Sequence, residues 1–188
     1  MRSSLVGLLL LASLPAIGHA QLQQYRPPSL EVDGFVGYTA VDADEWAGLP
    51  QVSSANHIGF GALLRYMFLN ISGARLGIEI GTQQLFSWEF QSTVGTTVVR
   101  RTSTVAGFHF APMVRVAEGN RGSVDVGFGF HFLGDDGVPG LIVNTNYTIL
   151  RRQRFTVPIG ARVNLVLNDP VSAMNVSFKA GLAMPIGD

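Results

Sequence analysis

Residues 123–133 alternate strictly between apolar side chains and small or ionisable ones. One parity consists of Val124, Val126, Phe128, Phe130 and Phe132. The other parity consists of Ser123, Asp125, Gly127, Gly129 and His131. Since successive side chains of a β-strand point to opposite sides of a sheet, this segment predicts a strand with one aromatic, apolar face and one narrow polar face.

The composition is apolar for a soluble domain of 188 residues, because 47% of them are hydrophobic and only 14% are charged. This length predicts one folded domain. There is no cysteine, so no disulfide can stabilise the chain. The formal charge is zero with neutral histidines, and no basic face indicates a nucleic-acid partner.

The first twenty residues have the features of a signal peptide. Arg2 supplies a positive start, residues 5–17 are apolar, and Ala20 ends a stretch of small residues suited to cleavage. The apolar run is shorter than the ~20 residues that a membrane-spanning helix needs. We therefore expect residues 1–20 to be removed on export, 21–29 to form a periplasmic lead-in without packing of its own, and 30–188 to form the folded domain.

Seven other segments share the alternation of residues 123–133. The eight segments are 30–41, 58–68, 75–90, 98–116, 123–133, 141–150, 155–167 and 174–184. Short turns are predicted at 70–74, 118–122 and 151–154, and longer loops at 43–56, 92–97, 134–140 and 168–170. Eight such segments, joined by alternating short and long connections, predict an all-β fold: an eight-stranded antiparallel up-and-down barrel.

The alternation alone does not say which face points outward, because a soluble ligand-binding barrel places its apolar face inside. Three features favour an apolar exterior. Glycines fall on the polar parity, where eight strands would crowd a narrow interior. Charges of both signs share that parity, and aromatic residues fall near the segment ends on the apolar parity, where membrane barrels place aromatic girdles. We therefore predict a transmembrane β-barrel.

The two parities also predict the environment of individual side chains. A luminal ion network is predicted from Glu31, Asp33, Arg65, Arg75, Glu79, Arg115, Asp125, Arg162 and Lys179. Lipid-facing positions are predicted at Phe60, Leu64, Ile78, Phe108, Phe128, Phe130, Val163 and Phe178. Phe35 falls on the polar parity and is expected inside with the arginines, so no open pore is expected.

This arrangement resembles the small outer-membrane β-barrel family of Gram-negative bacteria, of the OmpA/OmpX-like kind, over residues 30–184. The resemblance rests on architecture and not on a signature motif. It implies location in the bacterial outer membrane, assembly by the barrel-assembly machinery, and contact with outer-membrane lipid and lipopolysaccharide. It also implies periplasmic turns at Asn70, Gly119 and Arg152, with the longer loops outside. Such barrels usually end on an aromatic residue, whereas this chain ends on Asp188.

The expected function is that of a non-enzymatic barrel with a plugged polar lumen. Its role would be envelope-structural, or an interaction with an extracellular ligand through the outer loops. One alternative is a soluble, exported, lipocalin-like barrel that binds a small apolar ligand. A second alternative is a lipid-modifying outer-membrane enzyme.

The sequence offers little for catalysis or metal binding. Lipid A deacylases of this fold resemble one another in a His-x-Ser pair, but His57, His109 and His131 have no serine two residues on. A site formed across strands by His131 and Asp125 stays open. The acidic residues near 42–45 and 135–136 lack calcium-loop spacing, so no catalytic residue, cofactor or metal is predicted.

Overall fold

The structure is a computed structural model that describes residues 26–41, 52–71, 74–94, 97–133, 136–167 and 173–186. The predicted signal peptide and residues 21–25 lie outside this part of the chain, so the division into signal, lead-in and barrel stays a prediction. The strands of the described residues are β1 (Ser29–Val41), β2 (Val52–Asn56), β3 (Ile58–Ile71), β4 (Ala74–Val94), β5 (Thr97–Glu118), β6 (Gly122–Leu133), β7 (Asp136–Arg151), β8 (Thr156–Val166) and β9 (Ala173–Pro185). None of the described segments is a helix long and apolar enough to cross a membrane.

The strands form one closed antiparallel sheet. Apart from the short β2, each strand pairs with the strands before and after it in the chain, and β9 closes the ring against β1 over its whole length, from Ser29↔Pro185 to Val41↔Ala173. The short strand β2 continues β3 beyond His57, because both pair with the same edge of β4. The prediction of an eight-stranded antiparallel up-and-down barrel is confirmed. Closure pairs both edges of the strands that form the barrel wall, which is what allows strands to cross a bilayer. Beyond the wall, residues 97–106 of β5 pair with β4 alone.

The apolar parity faces outward. Phe128 and Phe130 in β6 are 55% and 51% exposed, whereas Asp125 and His131 on the other parity have no exposed surface. Phe35 lies inside at 6% exposure, as its parity predicts. Many large apolar side chains on the outside of a protein would be unfavourable in water but are suited to lipid. This is the fold of the transmembrane β-barrels, and it does not have the apolar interior that the lipocalin-like alternative needs.

Glycines on the inner parity allow neighbouring strands to approach closely. A Cβ at Gly129 would overlap the carbonyl oxygen of Phe110, and a Cβ at Gly160 would overlap the carbonyl oxygen of Thr145. A larger residue at either position would force the backbone apart. The glycines therefore belong to the tight curvature of a small barrel.

The two ends of the barrel differ in the length of their connections. The short-turn end has connections after Ile71, Glu118 and Arg151, and it also holds Pro28 and Ile186, where the N of Ile186 donates to the O of Pro28 at 2.7 Å. The long-loop end lies opposite. The turns close with hydrogen bonds from the N of Gly119 to the O of Gly122 and from the N of Arg152 to the O of Phe155, at 2.7 and 2.8 Å.

Three predicted loops are shorter than expected. Within 43–56, residues Val52–Asn56 form β2; within 92–97, β4 runs to Val94 and β5 begins at Thr97; within 134–140, β7 begins at Asp136. The remaining parts of these loops, and residues 168–170, lie outside the described residues. Backbone groups pair regardless of the side-chain pattern, so strands can extend past the region where alternation predicts them. The bounds predicted for these three loops were therefore wrong where the strands extend into them.

The lead-in was also predicted incorrectly in one respect. Its described part, residues 26–28, packs across the short-turn end and does not lack contacts of its own. The Nη1 of Arg26 donates to Oε1 of Glu118 at 2.6 Å, and the O of Arg26 accepts from Nδ2 of Asn70 at 2.9 Å. The O of Pro27 accepts from Nη2 of Arg75 at 2.9 Å. The sequence around Pro27-Pro28 predicts an extended chain but does not indicate what that chain touches.

Candidate functional site

The interior of the barrel holds the charged residues that the sequence singled out. The structure places all nine on the inner parity, and each is less than a tenth exposed: Glu31, Asp33, Arg65, Arg75, Glu79, Arg115, Asp125, Arg162 and Lys179. They come from β1, β3, β4, β5, β6, β8 and β9. Side chains from opposite walls therefore meet in the centre, since an eight-stranded barrel is just wide enough for them to fill it.

Arg65 is the hub of this cluster. Its Nε and Nη2 donate to Oε2 of Glu79 at 3.0 and 2.7 Å. Its Nη1 donates to Oδ2 of Asp125 at 2.9 Å and to Oε1 of Glu31 at 3.2 Å. Arg65 has no exposed surface. One guanidinium thus ties β1, β4 and β6 to β3, because its planar fork presents donors in several directions.

The other oxygen of Glu79 is bound from the opposite wall. Nη1 of Arg162 donates to Oε1 of Glu79 at 2.6 Å and to Oδ1 of Asn144 at 3.1 Å. Nε2 of His109 lies 3.0 Å from the same Glu79 oxygen. The Arg162 guanidinium also lies 5.2 Å from the centre of the Phe35 ring, in cation–π geometry. Phe35, one of the apolar residues that point inward, therefore packs against a buried cation.

Two further pairs complete the cluster. Nζ of Lys179, the only lysine of the chain, donates to Oε1 of Glu31 at 3.0 Å and also to Oδ2 of Asp33. Arg115 binds Asp125 with two donors, Nε to Oδ1 and Nη2 to Oδ2, the latter at 3.0 Å. Both pairs join strands that are neighbours in the sheet.

Charges in this cluster balance. Four carboxylates (Glu31, Asp33, Glu79 and Asp125) contact four cations (Arg65, Arg115, Arg162 and Lys179). We call these eight residues the ion core. A buried charge is tolerated when it is paired and its hydrogen bonds are satisfied, and removing one partner from such a pair costs about 3–5 kcal/mol. The stability of the barrel therefore depends on each buried charge of the ion core keeping a partner of opposite charge.

Arg75 does not join the ion core. It lies at the short-turn end, where Nη2 donates to the O of Pro27 at 2.9 Å and to Oγ of Ser29 at 3.2 Å. Its Nη1 lies 3.6 Å from Oε1 of Glu118, a residue that the sequence reading left in a turn. The grouping of Arg75 with the other eight thus rested on parity alone, which carries no information on depth in the barrel.

Neutral polar residues form a second layer nearer the long-loop end, and of these the sequence singled out His131 alone. Nε2 of Gln83 lies 2.8 Å from Nδ1 of His131, and Nδ2 of Asn164 donates to Oε1 of Gln83 at 2.8 Å. Nδ2 of Asn175 donates to Oγ1 of Thr39, also at 2.8 Å. All five share the inner parity of their strands, which is the signal that could have identified them.

An apolar layer follows at the long-loop end. It consists of Leu85, Phe86, Val138, Val166 and Ala173, which form one buried cluster. A second buried apolar cluster, Met67, Ala111, Met113 and Ile142, lies at the depth of the ion core, where Ala111 is the strand partner of Glu79.

The histidines do not form a catalytic arrangement. His109 and His131 lie inside with ring centroids 5.6 Å apart, and Nδ1 of His57 lies 2.9 Å from the O of Thr39. The site of His131 with Asp125 that the sequence left open is not formed: both residues lie on β6, His131 contacts Gln83, and Asp125 is bound by arginines and Asn146. Within the described residues, no three His, Asp or Glu side chains could hold a metal ion. The acidic residues 42–45 and 135 lie outside those residues.

The predicted lipid-facing residues lie on the outer surface. Seven of the eight are at least 37% exposed: Phe60, Leu64, Ile78, Phe108, Phe128, Phe130 and Phe178. Val163 also lies on the outer parity and is partly exposed. That these side chains contact lipid stays a prediction, since the structure contains no lipid.

Comparisons with known proteins bear on the fold. No protein family matches the sequence, and no curated protein is similar to it. Among solved structures, the chain is similar to Neisserial surface protein A (NspA), with a TM-score of 0.50 and 11% identity, over 85% of this chain and 97% of that one. It is also similar to Ail, the attachment invasion locus protein of Yersinia pestis, with a TM-score of 0.49 and 13% identity, over 85% and 100% of the two chains.

A third similar structure is the outer membrane protein OprG from Pseudomonas aeruginosa, with a TM-score of 0.47 and 8% identity, over 87% of this chain and 97% of that one. At such identities the likeness concerns the fold. The chain has the fold of the small, eight-stranded outer-membrane β-barrels.

Proposed function

We propose that this protein is a non-enzymatic barrel of the bacterial outer membrane, with a plugged lumen and with an envelope-structural or surface-interaction role carried by its long loops. The observation that carries the proposal is the ion core. Arg65, Glu79, Arg162 and Lys179 have no exposed surface, although they lie where a channel would run. A plugged barrel leaves its ends and its lipid-facing wall as the surfaces that can act.

Location in the outer membrane is supported by the apolar exterior together with the fold. Phe108, Phe128 and Phe178 are each more than half exposed on the wall of a barrel with no open edge. A bilayer would cover such a surface. In this proposal residues 1–20 direct export, the barrel-assembly machinery inserts the chain, and lipid and lipopolysaccharide surround it. The short-turn end faces the periplasm and the long-loop end faces outside.

The interior argues against the other two functions considered. A lipocalin-like barrel needs an apolar cavity for its ligand, but four carboxylates and four cations occupy the centre of this one. A lipid-modifying enzyme needs a reactive group at the lipid-facing wall. His109 and His131 lie inside instead, each with less than 2% of its surface exposed. The proposed surface partner is therefore engaged by the long loops and not by the wall or lumen.

Two measurements test the proposal. Outer and inner membranes are separated on a sucrose gradient, and the outer-membrane fraction is run on a gel with and without boiling. We expect the protein in that fraction with a heat-dependent mobility shift, because a closed barrel resists detergent until heated. Recovery in the soluble periplasmic fraction without a shift would contradict a membrane location.

The second measurement concerns the plug. The purified protein is added to a planar lipid bilayer, with an open porin as the positive control. We expect no stable conductance steps, because the ion core leaves no continuous water path. Reproducible ohmic conductance at neutral pH would contradict the plugged lumen while leaving the membrane location intact.

A further inference from the structure

The short-turn end contains a cavity of about 480 Å³. The described part of the lead-in, the turns after Glu118 and Arg151, and the end of β9 surround it. Six of the lining residues are arginines: Arg26, Arg75, Arg115, Arg121, Arg151 and Arg152. We call this cavity the basic vestibule. Its volume lies within the range of about 300–1,000 Å³ that small-molecule sites occupy.

A single carboxylate, that of Glu118, lies among the described lining residues. Oε1 of Glu118 is shared by three of the arginines, at 2.6 Å from Nη1 of Arg26, 3.5 Å from Nη1 of Arg115 and 3.6 Å from Nη1 of Arg75. The single negative charge of Glu118 thus interacts with arginines on one wall of the vestibule. Arg115 is already paired with Asp125, but this one charge cannot neutralise both Arg26 and Arg75 together with the other arginines around the cavity.

The remaining arginines have only neutral partners among the described residues. Nη2 of Arg151 donates to the O of Asn120 at 2.6 Å, and Nη1 of Arg121 lies 3.4 Å from the hydroxyl of Tyr147. No ion pair of the described residues includes Arg121, Arg151 or Arg152. Within the described residues, the wall formed by the second and third short turns therefore carries positive charge without a carboxylate partner beside a cavity.

Arg75 supplies an independent sign of a missing partner. It is 7% exposed, and its Nε is buried without a hydrogen-bond acceptor. Contacts of its Nη2 with Pro27 and Ser29 hold the guanidinium in place. A buried donor without an acceptor is costly, so such groups are usually completed by a ligand or water. Arg75 is one of the residues that line the cavity.

We propose that the basic vestibule binds a small molecule with phosphate groups. The arginine fork matches phosphate oxygens with two parallel donors. A phosphate monoester carries nearly two negative charges and three acceptor oxygens. It therefore suits a wall with several guanidinium groups that lack a carboxylate partner among the described residues better than a single carboxylate would. The vestibule lies within the ring of turns, so the ligand enters from the aqueous phase. That this phase is the periplasm rests on the proposed function.

The test uses the full barrel in an uncharged maltoside detergent, with pyrophosphate as the probe and isothermal titration calorimetry as the readout. The test variant is Arg151→Gln/Arg152→Gln. The control is Arg154→Gln, which removes one positive charge, as Arg121→Gln does, from the turn of the test variant, at an exposed residue that does not line the cavity. A heat-dependent mobility shift in each variant confirms that the barrel has folded. Arg121→Gln provides a second test on another turn.

We expect saturable one-to-one binding of pyrophosphate, weakened at least tenfold in Arg151→Gln/Arg152→Gln and in Arg121→Gln but less than twofold in Arg154→Gln. Equal weakening in Arg154→Gln would overturn the proposal, because it would indicate attraction to surface charge in general. A parallel experiment with phosphatidylglycerol vesicles identifies the source of the phosphate. Loss of vesicle binding in the test variants alone, without pyrophosphate binding, would assign the site to a lipid headgroup. Absence of both kinds of binding would overturn it.

Discussion

Arg65 and Glu79 are direct partners across the β3–β4 pair, and Arg65 donates twice to one oxygen of Glu79 at 2.7 and 3.0 Å inside the barrel. Glu79 in turn accepts from Arg162 at 2.6 Å, on the far side of the interior. A local cross-strand pair thus becomes a bridge across the whole barrel. The stability of the fold should therefore depend on side chains that touch neither lipid nor solvent.

Replacing Arg65 by methionine should destabilise the barrel by about 3–5 kcal/mol. The change leaves Glu79, Glu31 and Asp125 without their shared cation in a buried site. Reversible urea unfolding in detergent micelles, followed by tryptophan fluorescence, measures the free energy. The control is Arg100→Met, whose side chain is 69% exposed and 3.6 Å from Glu89; its effect should stay below about 1 kcal/mol. Similar losses in both variants would contradict a special role for the ion core.

The double variant Arg65→Met/Glu79→Gln should be more stable than the sum of its two single variants predicts. Removing Arg65 alone leaves four carboxylates with three cations in the ion core, whereas removing both charges leaves three of each. Groups in direct contact commonly show coupling energies of about 0.5–3 kcal/mol in a double-mutant cycle. The four unfolding free energies give this coupling directly. Strict additivity would mean that the coupling free energy between Arg65 and Glu79 is zero.

Lys179 should be inert to amine-reactive reagents in the folded barrel. Its Nζ has two carboxylate partners, Glu31 and Asp33, and the residue has no exposed surface. Because it is the only lysine of the chain, peptide mass spectrometry after treatment with an N-hydroxysuccinimide ester reads one side chain without ambiguity. We expect no adduct on Lys179 before boiling and nearly complete modification after it. Rapid modification of the native barrel would show that water reaches the ion core.

Phe128→Arg should reduce the amount of heat-modifiable barrel in the membrane fraction. Phe128 is 55% exposed on the apolar wall, and an arginine near the bilayer midplane of a β-barrel costs about 2–4 kcal/mol. Phe128→Leu, which keeps the position apolar, is the control and should insert normally. Quantitative gels of membrane and soluble fractions measure the difference. Equal insertion of the two variants would argue that this wall does not face lipid.

Gly129→Ala should destabilise the barrel, by about 1–3 kcal/mol, although it adds a single methyl group. The new Cβ would overlap the carbonyl oxygen of Phe110 and crowd Ala111, both backbone neighbours that cannot rotate away. Gly119→Ala is the matched control, because the nearest atom to its Cβ is the O of Gly122 at 3.8 Å. Urea unfolding of both variants tests the close strand approach. A harmless Gly129→Ala would contradict it.

How far the sequence predicts this protein can be seen in β6. Phe128 points outward and Asp125 inward because side-chain direction alternates along any strand, and the same rule assigned the faces of the other segments. The positions of His131 and Asp125 show its limit. They share a parity on β6, but alternation does not say which residues of other strands lie beside them, namely Gln83 and Arg65. Strand register sets depth, and register is not encoded in alternation.

The sequence by itself determined the class of fold, the number of long strands and the face of each strand, because these follow from local geometry and from a pattern of period two. Only the tertiary structure decided which charges pair. Arg65 and Asp125 are sixty residues apart in the chain and meet because closure of the ring brings their strands to opposite sides of one narrow interior. Closure likewise gathers the arginines of two turns and the lead-in around one cavity. Such convergence depends on register and curvature, which are properties of the whole barrel.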